Sequence, residues 1–396
     1  MRIIEINATY NIGSTGRIVY EIGEALEKNG VKCFYACQSS TIKKDNIYIV
    51  GNKIDWKLHA LGSRIGGMQG FYSKKATKKL LAFIDRNNID VAHLHNLHSN
   101  FINLPMLIDH LNKRRIPIVI TLHDCWFFTG KCFHYIDVGC DRFTFNCGKC
   151  PKLHMSPISY FFDKTNKMLT IKKRIFKESN LTIVGCSDWI CSETKKSFLK
   201  EKRIVAIHNG VDTNVFKAKE FNQGNNNQSI KILGIANKWR LECNKSFVEK
   251  ISSIDHVSIE IIGANSKDIK YFKSINKNIS VICGQKTQEE MSECFANSDV
   301  FVNLSRSDTL PTVIMESICC GCPVIAFNSG GSVELVSKEC GFIVDSSKPD
   351  ELVEALQNIK SISRKRCSEY GLTYFDKRDF VKKYVELIKN IGGTSE

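Results

Sequence analysis

Residues Asn303–Val336 read NLSRSDTLPTVIMESICCGCPVIAFNSGGSVELV. A β-rich run, Asp299–Leu304, leads into a polar loop; Pro311 suits the first turn of a helix through Cys319 or Cys320, and Gly321 suits its far end. Strand, loop, helix, strand is the implied order. The helix is apolar nearly all round, which predicts burial, yet Glu316 stands in its middle on one face with Thr312 and Cys320. A buried carboxylate without partners costs several kcal/mol or neutralises, and a ligand rich in hydroxyls or amides supplies such partners. Asp308 falls eight residues earlier, in the loop at the helix entrance. There the backbone amides of residues 308–313 favour an anion. The stretch predicts two carboxylates and an anion site together; the alternative is a solvated loop Asp and a water-facing Glu.

Around this unit the pattern repeats. Strands are expected at Ile230–Ala236, Val257–Ile262, Ile279–Cys283, Val300–Leu304, Val324–Phe327 and Phe342–Val344, with helices between them, which implies a parallel sheet. Lys238, Arg240 and Lys245 follow the first of these strands, where two cations can clamp a diphosphate. Gly330 and Gly331 precede a helix start and leave room for a ligand.

The N-terminal half alternates likewise. Strand Arg2–Asn7 is followed by a loop with Gly13, Gly16 and Arg17 and by a helix from Ile18 to Lys28. This arrangement lets backbone approach a phosphate at a helix N-terminus, although a tight turn reads the same way. The third glycine of the dinucleotide fingerprint is missing, which counts against a nicotinamide cofactor. Further strands are expected at Val31–Ala36, Ile47–Val50, Asp90–His95, Pro117–Leu122, Leu181–Cys186 and Arg203–Ile207, and a helix at Ser159–Glu178. His93 and His95 point the same way from their strand, for a core or cleft-edge role, and His123-Asp124 follows a strand end, suited to substrate contact, where the pair reads as a base or equally as an orienting hydrogen bond. The basic stretch Trp56–Ile84, with Lys74, Lys75, Lys78 and Lys79, reads as a solvated helix face or as a helix lying on an anionic membrane.

The predicted domains are residues 1–216, carrying a Cys-rich insertion at 125–151; a linker at 217–229; residues 230–375; and a C-terminal helical segment, 376–396, that packs back across the domain junction. In the insertion Cys132, Cys140, Cys147 and Cys150 are spaced C-x7-C-x6-C-x2-C. Four thiolates with one C-x2-C knuckle suit a structural zinc; reduced thiols and a redox or iron–sulfur role are the alternatives. The remaining cysteines, such as Cys33, Cys37, Cys186 and Cys283, are scattered in apolar runs and read as core thiols.

With 396 residues, 43% of them hydrophobic, the chain can bury a large core. It carries no apolar run long enough to span a membrane and starts in a strand pattern, so a cytoplasmic location is expected. The formal charge of +15 favours anionic partners: nucleic acid, an anionic membrane or phosphorylated small molecules.

Taken in order, GSTGR at Gly13–Arg17, the His123-Asp124 loop, HNGVD at His208–Asp212, Asp308-x7-Glu316, CGCPV and NSGG resemble the family 4 retaining glycosyltransferases of the GT-B fold over nearly the whole chain. HLHNLH, TLHDCW and the cysteine insertion bring the resemblance closer to exopolysaccharide and colanic-acid-type biosynthesis transferases. The resemblance implies an α/β architecture of two Rossmann-like parallel-sheet domains facing a cleft, with a nucleotide-sugar donor on the second domain and a saccharide or polyprenyl-diphosphate-linked acceptor on the first. Glu316 would hold the donor ribose and Asp308 the donor sugar. Arg240 and Lys245, or Lys238 as first cation, would neutralise the diphosphate without a catalytic metal. Gly13 and Gly16 would meet the donor phosphates, and His123 the reacting sugar. Asp308 departs from the family's Glu, and the usual G-R-x4-K-G appears as KWRLECNKS. The implied activity is hexosyl transfer with retention in cell-surface polysaccharide biosynthesis, by a protein loosely attached to the inner membrane face. A zinc-binding nucleic-acid protein and a sugar-nucleotide epimerase are the rival readings; dispersed cations and the lack of a recognised module argue against nucleic acid as partner.

Overall fold

The computed structural model describes residues 1–218 and 229–393, so most of the expected linker, 217–229, lies outside the described residues. The chain forms two compact units, one of Met1–His208 with the segment from Phe380 onward, the other of Asn209–Asp379.

The first unit is built on seven parallel strands: Arg2–Ile6 (β1), Lys32–Cys37 (β2), Ile47–Ile49 (β3), Val91–Leu94 (β4), Ile118–Leu122 (β5), Leu181–Gly185 (β6) and Arg203–Ala206 (β7), in the order β3-β2-β1-β4-β5-β6-β7. Helices cover both faces, so the central strands are buried almost throughout. Side chains alternate between two cores with the strand period of two. Ile3, Val91 and Val119 pack on one side with Ile18, Ile22 and Leu26 and with Phe380, Tyr384 and Ile388 of the helix Lys377–Gly393. Ile4, Leu94 and Ile120 pack on the other with Leu80, Ile84, Leu107, Leu111 and Phe176.

The second unit has six parallel strands: Ile230–Ile235 (β8), Val257–Ala264 (β9), Ser280–Cys283 (β10), Val300–Asn303 (β11), Val324–Phe327 (β12) and Gly341–Val344 (β13), in the order β10-β9-β8-β11-β12-β13. In both sheets the order reverses beside the first strand, at β1/β4 and at β8/β11. Ligands of open parallel sheets bind beyond the carboxyl ends of strands at such a point.

Three local expectations change. Cys283 is exposed, because it ends β10 at the sheet's edge. The helix expected from Ser159 begins at Thr165, where Asp163 Oδ1 accepts from the Thr165 amide at 2.9 Å, and Tyr160–Phe162 form an exposed loop instead. The basic region Trp56–Ile84 is two helices, Lys53–Gly66 and Lys74–Arg86, and the second turns Ala76, Leu80 and Ile84 into the core, leaving its lysines solvated. Among the described residues no helix is long and apolar enough to cross a membrane.

Candidate functional site

In the second unit the loops leaving β8, β11 and β12 are laced together. Asn244, fully buried, donates from Nδ2 to the carbonyls of Lys238 at 2.9 Å and Leu304 at 2.7 Å, while its Oδ1 accepts from Arg306 Nε at 2.7 Å. Arg306 Nη2 also donates to the Cys243 carbonyl at 2.7 Å, and the guanidinium lies over the Phe327 ring at 5.3 Å. One amide thus ties the cation-bearing loop after β8 to the carboxylate-bearing loop after β11, across the switch point. The second tie involves β12. Ser329 Oγ donates to the Ser305 carbonyl at 2.7 Å, and the Gly331 amide donates to the Asp308 carbonyl at 3.2 Å.

Gly330 adopts φ +55°, and a Cβ there would lie 1.8 Å from the Asp308 carbonyl oxygen; at Gly331 a Cβ would lie 2.0 Å from that of Thr309. The room both glycines provide is filled by the neighbouring loop. Asp308 is half-buried in that loop, and Glu316 is buried in the helix Thr312–Cys319. The helix starts at Pro311 without a side-chain cap and without an acidic residue in its first turn, so its first amides are left for another acceptor. Thr309 Oγ1 and Ser332 Oγ, on the tied loops, are buried without a hydrogen-bond partner among the described residues. Orphaned buried hydroxyls are rare in proteins and fit a site whose ligand completes them.

The three expected cations stand differently. Arg240 Nη1 is 2.9 Å from Asp268, a carboxylate that itself closes the capping box of the helix Ser266–Ile275. Lys245 opens the helix Lys245–Ser252, half-exposed, with Glu249 at 3.9 Å, and Lys238 is half-buried in the short helix Ala236–Trp239. Arg306 was not singled out from the sequence, and among the described residues no carboxylate pairs with it. Its position two residues before Asp308 was the available signal.

In the first unit Gly13, at φ +67°, opens onto free space, whereas a Cβ at Gly16 would lie 2.7 Å from Thr9 Oγ1. The helix Gly13–Lys28 likewise lacks a side-chain cap and a first-turn acid. Beneath the β1/β4 switch point runs a buried polar chain. Glu5 on β1 accepts from His93 on β4 and from His95 just after it: its oxygens lie 2.9 and 3.1 Å from His93 Nδ1, and one lies 2.9 Å from His95 Nε2. His95 Nδ1 meets His123 Nε2 at 3.0 Å, His93 Nε2 meets Thr121 Oγ1 at 2.8 Å, and Thr121 meets the Tyr384 hydroxyl at 2.9 Å.

Burial alone would raise the Glu5 pKa, but the two histidines outweigh it and hold it at about 2. Burial, reinforced by His93, holds His95 at about 4, and burial and His95 keep His123 well below its usual value. The proton positions follow. Glu5, ionised, can only accept, so neutral His95 carries its proton on Nε2; its bare Nδ1 then accepts from His123 Nε2, leaving His123 Nδ1 as an acceptor. Asp124 is not the partner of His123. It pairs with His98 at 2.7 Å and accepts from the Trp126 amide at 2.8 Å.

The insertion is pinned by buried lysines: Lys131 Nζ donates to the carbonyls of Lys152, Leu153 and Met155, and Lys152 pairs with Asp137 at 2.7 Å. Tetrahedral zinc requires sulfurs about 3.8 Å apart around one point, given Zn–S bonds of about 2.3 Å. Among the described residues no three of Cys132, Cys140, Cys147 and Cys150 bring their sulfurs within 4.8 Å of one another. Cys132 and Cys150 share a thiol hydrogen bond, which holds Cys150 below the usual thiol range and pushes Cys132 above it. As placed, the four fall short of the convergence zinc needs.

Two parallel sheets with sites at their switch points define a class. The structure superposes on sucrose-phosphate synthase from Thermosynechococcus elongatus with a TM-score of 0.71 at 14% identity, covering 100% of both chains. It superposes on Anabaena HepE in complex with UDP and glucose with a TM-score of 0.64 at 14% identity, covering 98% of this chain and 100% of that one. These likenesses give the architecture of the GT-B glycosyltransferases. The sequence matches the family described as Glycosyltransferase Family 4 over residues 15–215, half of the chain, and Glycosyl transferases group 1 over residues 244–373. The chain belongs to the family 4 glycosyltransferases and is a transferase. A protein of Escherichia coli (strain K12) named as a glycosyl transferase of colanic acid biosynthesis, WcaC, is 24% identical over 320 residues, 76% of each chain.

Proposed function

We propose that the protein transfers a hexosyl group from a nucleotide-sugar donor to a lipid-linked saccharide acceptor, with retention, in cell-surface polysaccharide biosynthesis at the inner membrane face. The observation that carries the reading is the laced second-unit site: Asp308 precedes an uncapped helix N-terminus and Glu316 lies buried within that helix, two hydroxyls of the tied loops have no hydrogen-bond partner among the described residues, and Arg306 is tied through Asn244 to the loop that bears Lys238, Arg240 and Lys245. The relatives support the chemistry, since HepE is seen with UDP and glucose and WcaC is named for colanic acid.

In this reading Glu316 holds the ribose hydroxyls, and Asp308 the donor sugar. Lys245, with Arg306 and with Arg240 released from Asp268, takes up the charge of the leaving diphosphate, so catalysis proceeds without a metal. Lys238, Gly330 and Gly331 shape the donor site, and Gly13, open where Gly16 is filled, offers backbone to the phosphates. The bond from the anomeric carbon to the diphosphate oxygen breaks while the acceptor oxygen bonds on the same face. The acceptor's proton leaves with the diphosphate. His123, with Nδ1 bare, accepts from a sugar hydroxyl, and His95 and Glu5 act as positioning residues that fix its tautomer.

Thermal shifts against nucleoside diphosphates and nucleotide sugars, with and without chelator, test the donor site. A ligand at 100 times its dissociation constant adds about 2.7 kcal/mol. Stabilisation by one nucleotide class regardless of chelator supports the reading, and the anomeric configuration of the product by NMR tests retention. No stabilisation by any nucleotide overturns it.

A further inference from the structure

The helix Lys53–Gly66 is amphipathic the wrong way round for a soluble protein. Apart from Trp56, which packs against the core and donates from Nε1 to the Val50 carbonyl at 2.8 Å, its inward side is polar and small: His59 Nδ1 meets Ser73 Oγ at 2.7 Å, His59 Nε2 accepts from the Gly70 amide at 3.1 Å, Ser63 is buried, and Gly62 and Gly66 lie against Tyr72. Its outward side carries Ile54, Leu58, Leu61 and Ile65, which are 69%, 62%, 55% and 44% exposed. At about 100° per residue these four fall on one stripe roughly 60° wide. Lys53, Lys57 and Arg64 run along one edge of it, also exposed.

A second exposed apolar group abuts the end of this helix. The Tyr160 amide donates to the Arg64 carbonyl at 2.7 Å, and a Cβ at Gly67 would lie 2.3 Å from the Phe162 carbonyl. Phe161 is 71% exposed beside Phe162, whose ring lies 5.5 Å from Lys164 Nζ. The helix's one carboxylate, Asp55, is turned back into the capping box with Asn52. No acidic side chain therefore faces outward among the seven outward positions of the helix.

We infer that this face, the Ile54–Ile65 stripe with the Phe161-Phe162 loop, docks the protein onto an anionic lipid bilayer. Exposed apolar stripes edged by cations are the pattern of interfacial helices, and aromatic side chains favour the headgroup level. Charge decides between occupants. A second copy would set one cationic row against another, whereas an anionic bilayer neutralises all of it. The inference gives the proposed membrane-face reading its surface and rests on that reading for its biological purpose, not for the binding itself.

The test is flotation of the full-length protein with phosphatidylcholine vesicles, with and without about 30 mol% phosphatidylglycerol, at about 0.15 M salt. The wild type is expected to float with the anionic vesicles. Ile54→Ser/Leu58→Ser/Leu61→Ser/Ile65→Ser should lower partitioning by about 100-fold and Phe161→Ser/Phe162→Ser by about ten-fold, with melting temperatures unchanged. Lys53→Gln/Lys57→Gln/Arg64→Gln should abolish the preference for anionic lipid. A wild type that does not float, variants that float as well as it does, or a wild-type dimer that the quadruple variant dissolves overturns the inference. Nucleotide thermal shifts, read on the same proteins without vesicles, separate this failure from failure of the glycosyl-transfer reading.

Discussion

The two units share the strand order 3-2-1-4-5-6, to which the first adds a seventh strand, and place polar residues at the same topological point by opposite means. In the first unit an ionised carboxylate and two imidazoles are sealed under the switch point, and their order reaches outward through His123. In the second the core beneath is apolar, and polar order lies in the loops themselves, through Asn244, Ser329 and the Gly331 amide. One half orients its site from below, the other by lacing across the top. The topology decides where a site sits, and the side chains decide how rigidly and with what charge.

Lys245→Ala would break the second half's chemistry with the largest effect: kcat/KM should fall by about a thousand-fold, roughly 4 kcal/mol of transition-state stabilisation, with stability within about 0.5 kcal/mol because the side chain is half-exposed. Gly330→Ala tests the lacing. A methyl group cannot share space with the Asp308 carbonyl, so about 3 kcal/mol of stability and the nucleotide-induced thermal shift should be lost together.

The first half should be the acid-labile one. His95 is held at about 4 against an ordinary 6.5, so the unfolded chain takes up the proton first. Its contribution is intact above about pH 6.5 and is lost as pH falls to about 4, about 3 kcal/mol in all. Glu5, held at about 2 against 4.5, loses its contribution at lower pH, between those two values. Denaturant unfolding at pH 7 and pH 4.5 measures the first loss. His95→Gln, which can still donate to Glu5 and accept from His123, should flatten part of it, while His59, also at about 4, and His123, held well below its ordinary value, keep the rest. The smallest effect is expected of Arg306→Gln: a nucleotide affinity about ten-fold weaker, about 1.4 kcal/mol, by calorimetry.

Much of this was legible in the sequence because it is periodic or local. The strands of both sheets appear in the chain as short apolar runs. The helix Thr312–Cys319 announces itself with Pro311 before it and Gly321 after it, and Glu316 stands out because nothing else in that helix is charged. The helix Leu104–Lys113 is not among the expected elements, although Asn103 and Pro105 mark its start. The loop at Tyr160–Phe162 reads as helix in the sequence because only Asp163 separates its apolar residues from the basic and apolar pattern of Thr165–Lys177.

The sequence by itself determined the α/β alternation, the strand-end positions of His123, Asp308 and the basic loop after β8, and the match to family 4 glycosyltransferases, since period, capping and motif spacing are properties of neighbours in the chain. Only the tertiary structure decided that Glu5 serves His93 and His95, 88 and 90 residues away, that Asn244 reaches Arg306, that the space at Gly330 belongs to Asp308, and that Ile54, Leu58, Leu61 and Ile65 face outward. A side chain's type is written locally, but its partner is set by which strands become neighbours and which face of a helix the core leaves uncovered.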